Sequence, residues 1–311
     1  MTPRNVIAIT GGTGFVGQAV VDEACRRGLP LRALARREQA ACEGVEWVRG
    51  DLADRAALAT LVAGAEAVLH VAGVVNTRDP MGFHLGNVTG TEALVEAAEA
   101  AGVRRFVFVS SLAAREPGLS KYGQSKRHAE EVVQTSALDW TIVRPPAIYG
   151  PRDREIFDMF RAARWGVVPM PPAGRTSIIH VADLARLLLS LTASSSETVG
   201  QQTIHRIFEP DDGRQGGWTH AKLGRAIGRA VGKSVWAPAL PRRVLSTAAW
   251  LDGRLRGAKA KLTPDRVGYM CHPDWVSRPD RAPPPELWRA EIPTRDGLIE
   301  TATWYRAQGW L

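Results

Sequence analysis

The sequence predicts an α/β protein, a doubly wound parallel sheet followed by a smaller, discontinuous C-terminal domain. Two patterns predict it. Along the first half, short β-branched runs alternate with segments of helical apolar spacing, the mark of repeated strand–helix units. The alternation stops at Pro145-Pro146, which cannot donate to a ladder, and a less regular, arginine-rich region takes over. A chain of 311 residues with 45% hydrophobic content can bury a substantial core in two unequal lobes. The implied division is residues 1–150 plus about 178–204 for the sheet, and about 151–177 plus 205–311 for the second lobe.

The first strand-to-helix junction organises the rest. Val6-Ile7-Ala8-Ile9-Thr10 reads as a buried strand, Gly11-Gly12-Thr13-Gly14 as a loop, and Phe15-Val16-Gly17 as the start of a helix reaching about Arg27. The glycines have separable uses in a dinucleotide site: Gly11 for a tight turn, Gly14 for bare backbone beside a pyrophosphate, Gly17 for close packing of helix on sheet. The amides and positive dipole end of the helix would face the anion.

Leu31 to Arg36 reads as the second strand. Arg36 and Arg37 stand where an acid would bind the ribose hydroxyls of NAD, and a guanidinium suits a 2'-phosphate in charge and shape, so NADP is expected over NAD. Two solvated loop arginines are the alternative. Glu46 to Gly50 is a third strand leading to Asp51-Leu52, where Asp51 is expected to cap a helix to about Ala63 and to receive the adenine amino group. The fourth strand, Ala67 to Gly73, ends in Val71-Ala72-Gly73, small enough for backbone to lie against a flat cofactor. His70 reads as a structural histidine. Asn87 begins a helix whose apolar stripe is Val88, Thr91, Leu94, Val95 and Ala98, placing it for a cap or a cofactor contact.

The fifth strand, Arg105 to Val109, delivers Ser110 and Ser111 to the carboxyl edge, where open parallel sheets bind ligands. Asp139 to Arg144 is the sixth. Beyond it, helices are expected near 157–163, 183–191, 219–231, 242–256 and 294–308, with a short strand at Ile178 to Val181.

Ser111, Tyr122 and Lys126 form the best chemical constellation. Tyr122 and Lys126 are four apart and share a helical face. A lysine beside a tyrosine favours the phenolate and can hold a ribose, while the serine hydroxyl polarises a substrate oxygen. The set suits moving a proton on or off a hydroxyl or carbonyl oxygen as hydride passes to or from a nicotinamide. Ser110 is the rival serine. A hydrolase built on His180, His205 and Asp183 lacks a nucleophile elbow, since the serines lie in Val-Ser-Ser-Leu. No clustered ligands point to a metal.

Cys25, Cys42 and Cys271 are odd in number and far apart in sequence, which predicts a reducing, cytoplasmic setting without a disulfide framework. No segment has the apolar length of a membrane span. The net charge is +8, and from His205 to Trp275 thirteen Lys plus Arg face six Asp plus Glu. That excess could attract a phosphorylated ligand or form a solvated face; no nucleic-acid module accompanies it. Val235, Trp236, Leu240, Val244, Leu245, Ala248, Trp250 and Leu251 are interleaved with Arg242, Arg243, Arg254 and Arg256. They suit a lid over an apolar substrate, a peripheral contact with a lipid interface, or plain packing on the rest of the protein. Phe157, Trp165 and Met170 are candidates for further apolar wall.

Together these segments resemble the extended short-chain dehydrogenase/reductase superfamily, which includes nucleotide-sugar epimerases and dehydratases and 3β-hydroxysteroid dehydrogenase-like enzymes. The resemblance lies in Thr10 to Gly17, Asp51-Leu52, His70-Val71-Ala72-Gly73, Asn87 to Thr91, Ser111, Tyr122, Lys126, Arg144 to Pro151 and His180 to Asp183, and covers roughly residues 5–190. It implies a Rossmann-type dinucleotide-binding domain and a catalytic trio of Ser111, Tyr122 and Lys126. It also implies a nicotinamide flanked by Val109, Pro145, Ala147 and Ile148, and a C-terminal region closing a substrate pocket. A homodimer through helices around Leu94 and His128 is the family analogy. One departure is the short connection of ten residues, Leu112 to Lys121, between the serine and the tyrosine.

The expected activity is NADP-preferring interconversion of a secondary alcohol and a ketone on a medium-sized, partly apolar small molecule. The alternatives are a nucleotide-sugar epimerase or dehydratase with tightly held NAD, and a cofactor-binding or redox-sensing assembly protein without turnover.

Overall fold

The computed structural model describes residues 6–77, 79–193, 201–257 and 260–311. The stretch 194–200, inside the expected 178–204 return, lies outside the described residues.

Apolar residues alternating along each strand face opposite sides of one sheet. β1 (Ile7–Thr10), β2 (Leu31–Ala35), β3 (Val45–Arg49), β4 (Ala67–His70), β5 (Arg105–Val109) and β6 (Asp139–Val143) join a seventh strand, Arg206–Phe208, in the all-parallel order Arg206–Phe208, β6, β5, β4, β1, β2, β3. Ile7, Ile9, Leu31, Ala33, Leu69 and Val107 pack beneath α1 (Phe15–Arg27) and the helix Val181–Thr192. Ala8, Leu34, Val48, Val68, Phe106 and Phe108 pack beneath α2 (Arg55–Val62), the helix Gly90–Ala100 and the helix Lys121–Thr135. Helices on both faces of a parallel sheet define the doubly wound Rossmann architecture.

The strand Arg206–Phe208 extends the sheet past the expected boundary at 204, because it lies parallel against β6 with Ile207 opposite Ile142. Pro145-Pro146 do end β6, and the chain then forms Ala147–Tyr149, paired in parallel with Ile178–His180 in a separate two-stranded sheet. The smaller lobe has its own core of Phe160, Met170, Leu223, Ile227, Leu298, Ala302 and Tyr305. A three-stranded sheet of Trp218–Thr219, Arg175–Thr176 and Asp274–Trp275 braces it. Phe157 stacks edge-on against Tyr305 and Trp310, Met170 is buried in the same core and Trp165 is exposed. Phe157 and Met170 support the lobe and Trp165 faces solvent.

One local expectation is corrected. Asp51 does not cap α2; it accepts from the Ala53 amide at 2.9 Å, and Asp54 caps by accepting from Ala57 at 3.0 Å. Cys25 and Cys42, 17 residues apart in sequence, meet in space: the loop after β2 folds back through a Cys42–Val45 bridge and brings their sulfurs to 3.5 Å as free thiols. Among the described residues, no helix is long and apolar enough to cross a membrane.

Candidate active site

All carboxyl ends of the parallel strands meet at one edge, and the site is built there. Gly11 has φ +75°, and a Cβ on it would meet the Ala72 amide nitrogen at 2.6 Å. A Cβ on Gly17 would meet the Gly11 carbonyl at 1.9 Å, so both positions demand glycine. Gly14 is less crowded, with the Gly11 carbonyl 3.3 Å from its imagined Cβ. No side chain caps α1 at Gly14 and its first turn carries no acid, so Thr13 to Gly17 present an uncompensated positive helix end. That cradle fits a pyrophosphate.

Beside the loop, β4 ends close against Thr10, whose carbonyl accepts from Val71 at 3.2 Å and whose hydroxyl accepts from Ala72 at 3.3 Å. His70 is buried between Thr10 (2.6 Å) and Thr91 (2.9 Å) and stacks on Phe108; burial pushes it down to about 3, so it is a neutral structural group. Asn87 closes the next loop, accepting from the Val74 amide at 2.7 Å and donating to Ser125 at 2.9 Å. Leu52 is half-buried beneath Gly90, whose imagined Cβ would meet it at 2.7 Å. Arg36 and Arg37 are exposed just past β2, and among the described residues neither guanidinium has a hydrogen-bond acceptor.

The two serines separate cleanly. Ser110 is buried and donates to Glu130 at 2.5 Å, so its hydroxyl is committed to the interior. Ser111 turns the other way, accepts from the Ala113 amide at 3.1 Å and hydrogen-bonds the Tyr122 phenol. Tyr122 and Lys126 lie one turn apart on the helix Lys121–Thr135, whose N-terminus is capped by Ser120. Burial raises the Tyr122 hydroxyl to about 12, against the lowering effect of Ser111. Burial lowers the Lys126 ammonium to about 8; it donates to the Val109 carbonyl at 2.8 Å and sits 4.4 Å over the Phe108 ring. Tyr122 therefore keeps its proton at neutral pH and can serve as an acid. Pro145 is buried with its carbonyl accepting from Leu112 at 3.1 Å, and Ala147 and Ile148 follow at the rim.

Several residues of the site escaped sequence reasoning. Arg144 grips Glu130 at 2.8 and 2.6 Å and faces Glu209 at 3.7 Å, while Arg115 reaches Glu209 at 3.4 Å. Glu130 is on the inward face of its helix, four residues after Lys126 and eight after Tyr122, and a carboxylate at that spacing was the available signal. Asp265 comes from the far lobe and accepts from the Lys121 amide at 2.6 Å and the Tyr122 amide at 3.3 Å. The short Leu112–Lys121 connection permits this, because the helix Pro264–Met270 sits against it with Gly268 tight on the Leu119 carbonyl. Nothing near Tyr122 in the sequence signals Asp265. Phe83 and Tyr269 flank the Tyr122 ring at 6.1 and 5.9 Å.

A cavity of about 180 Å³ is lined by Thr77, Phe83, Lys121, Ala249, Leu262 and Asp265, among others; it adjoins the start of the helix Lys121–Thr135, and the side chains of Ser111, Tyr122 and Lys126 are not part of its lining. The hydrolase residues do not converge. His180 caps the helix Val181–Thr192 through Ala182, Asp183 holds the amides of Glu291 and Ile292, and His205 bonds the Leu138 carbonyl.

This arrangement defines a dinucleotide-binding enzyme fold. A family model described as NAD(P)H-binding matches residues 11–193, and the chain belongs to that family, within the extended short-chain dehydrogenase/reductase superfamily. Over 99% of its length the chain is 38% identical to the ceramide reductase of Caulobacter vibrioides, covering 96% of that protein. It is 32% identical to the 2-alkyl-3-oxoalkanoate reductase of Stenotrophomonas maltophilia, covering 87% of this chain and 91% of that one. In fold it is similar to MoeE5 in complex with UDP-glucuronic acid and NAD, with TM-score 0.72, 20% identity and 98% and 99% of the two chains covered. Oxidoreductase chemistry with a nicotinamide dinucleotide follows.

Proposed function

We propose that the protein reduces a ketone carried on a long alkyl chain to a secondary alcohol, using NADPH. The observation that carries this reading is the protonated Tyr122 hydroxyl, paired with Ser111, on a helix whose first residue, Lys121, lines a largely apolar cavity. The two full-length relatives named as reductases, one of ceramide and one of a 2-alkyl-3-oxoalkanoate, support the same class of substrate.

In this reading the cradle of Gly11, Thr13, Gly14, Phe15, Val16 and Gly17 holds the pyrophosphate, Arg36 and Arg37 the 2'-phosphate, and Asp51 and Leu52 the adenine side. Val71, Ala72, Gly73, Asn87, Val109, Pro145, Ala147 and Ile148 line the remainder. The bound cofactor supplies a hydride to the carbonyl carbon. Tyr122 gives its proton to the carbonyl oxygen, which an acid with a pKa of about 12 can do toward a far more basic alkoxide. Ser111 donates to the same oxygen and orients it. Lys126 lies at the end of β5, positioned to hold the ribose and to place positive charge near the developing oxyanion.

A second reading, a nucleotide-sugar epimerase or dehydratase, draws on the fold neighbours that hold NAD with a nucleotide sugar and on the basic second lobe. One experiment separates the two. Incubation with NADPH and a 2-alkyl-3-oxoalkanoate or an oxidised ceramide should consume cofactor one for one with alcohol formed. Conversion of a UDP- or dTDP-sugar without net cofactor loss, and no ketone reduction, would overturn the proposal.

A further inference from the structure

The helix Arg242–Arg256 has two unlike sides. Leu245 and Ala249 are buried, and Ala249 and Gly253 line the cavity that Phe83, Lys121 and Asp265 also line. Outward, Val244, Leu251 and Leu255 are 48%, 45% and 83% exposed. At about 100° per residue these three and Ala248 fall within about 60° of arc, one continuous apolar ridge. Trp250, 55% exposed, stands beside the ridge with Arg254 at 4.7 Å over its ring. Val75, Met81 and Leu85 are also exposed, on the segment that supplies Thr77 and Phe83 to the other wall of the cavity.

Charge decides what this ridge fits. The helix carries Arg242, Arg243, Arg254 and Arg256 against one acid, Asp252, and Asp252 is turned inward to accept from the Lys261 and Leu262 amides and to pair with Arg256. Arg243 and Arg254 flank the ridge on the Trp250 side. A second copy docking ridge to ridge would bring like charges together, since a two-fold contact repeats the same patch on both sides. An apolar ridge edged by arginine and tryptophan matches instead the boundary between acyl chains and anionic headgroups.

We propose that the outer face of helix Arg242–Arg256 seats the protein on an anionic lipid surface, so that the wall of the substrate cavity rests against the bilayer. This deepens the alkyl-ketone reading by giving its substrate a source in the membrane, but the docking is measured without substrate. Its failure would leave the reductase reading standing, and the reverse also holds.

The test is co-sedimentation of the intact protein with vesicles of phosphatidylcholine alone and of an equal mixture of phosphatidylcholine and phosphatidylglycerol. Binding should favour the anionic vesicles and fall as salt rises. The double variant Leu251→Ser/Leu255→Ser should bind them about ten-fold more weakly. Arg243→Gln/Arg254→Gln changes no buried contact and should also weaken binding, while Trp165→Ser, at an exposed tryptophan outside this helix, should not. Absence of binding to anionic vesicles, or binding untouched by both double variants, would overturn the proposal, as would self-association through the ridge in place of vesicle binding.

Discussion

Lys126 places its ammonium 2.8 Å from the carbonyl oxygen of Val109, the last residue of β5. The bond ties the helix Lys121–Thr135 to the strand end that carries Ser110 and Ser111, and it holds a charged group in the interior. The folded protein releases that proton at about 8 and the unfolded chain near 10.5. Between those values the unfolded state binds more protons, so this group makes stability rise with pH there, by about 3 kcal/mol in all. In denaturant titrations the stability difference between wild type and Lys126→Met should change across that window and be flat below it.

The two serines should behave differently on truncation. Ser111→Ala removes the hydroxyl beside Tyr122 and should lower kcat by about 10²–10³-fold, far more than the loss of its cap on the Ala113 amide, about 1 kcal/mol of stability, would account for. Ser110→Ala takes a buried donor from Glu130 and should cost about 1–2 kcal/mol of stability with a much smaller loss of turnover. Activity assays paired with urea unfolding of both variants read the contrast.

The pair formed by Glu130 and Arg144 is fully enclosed, so Arg144→Leu leaves a buried carboxylate partly uncompensated. Breaking such a pair from one side costs about 3–5 kcal/mol. Thermal and urea unfolding should show that loss.

Arg36 and Arg37 make a phosphate-specific prediction. Replacing both with Ala should weaken NADPH binding by about 10–100-fold, in line with the loss of charge-assisted contacts to one phosphate, and leave NADH binding unchanged. Equilibrium titration with both cofactors checks it. A native preference for NADH would contradict the assignment.

Much of the fold was legible because parallel, doubly covered strands are written locally. Runs such as Arg105-Phe106-Val107-Phe108-Val109 are buried along their whole length, and their ends fall where the apolar run does. The strand Arg206–Phe208 was not legible: three residues beside β6 carry no pattern of their own, and pairing with Thr141, Ile142 and Val143 makes them a strand. In the site, the spacing of Tyr122 and Lys126 and the end of the fifth strand pointed to the tyrosine, the lysine and a serine at 110 or 111. Asp265 could not, since it meets the Lys121 amide from 144 residues away. Glu130 was missed for another reason. A glutamate on a charged helix usually faces water, and only the approach of Arg144 from the end of β6 turns it into a buried anchor for Ser110.

In the proposed reduction Tyr122 is the proton donor to the ketone oxygen. Its most direct test is NADPH oxidation by Tyr122→Phe with a 2-alkyl-3-oxoalkanoate, alongside the Kd for NADPH. The variant should bind cofactor as the native protein does and lose turnover by about 10²–10⁴-fold. Native turnover in the variant would contradict it.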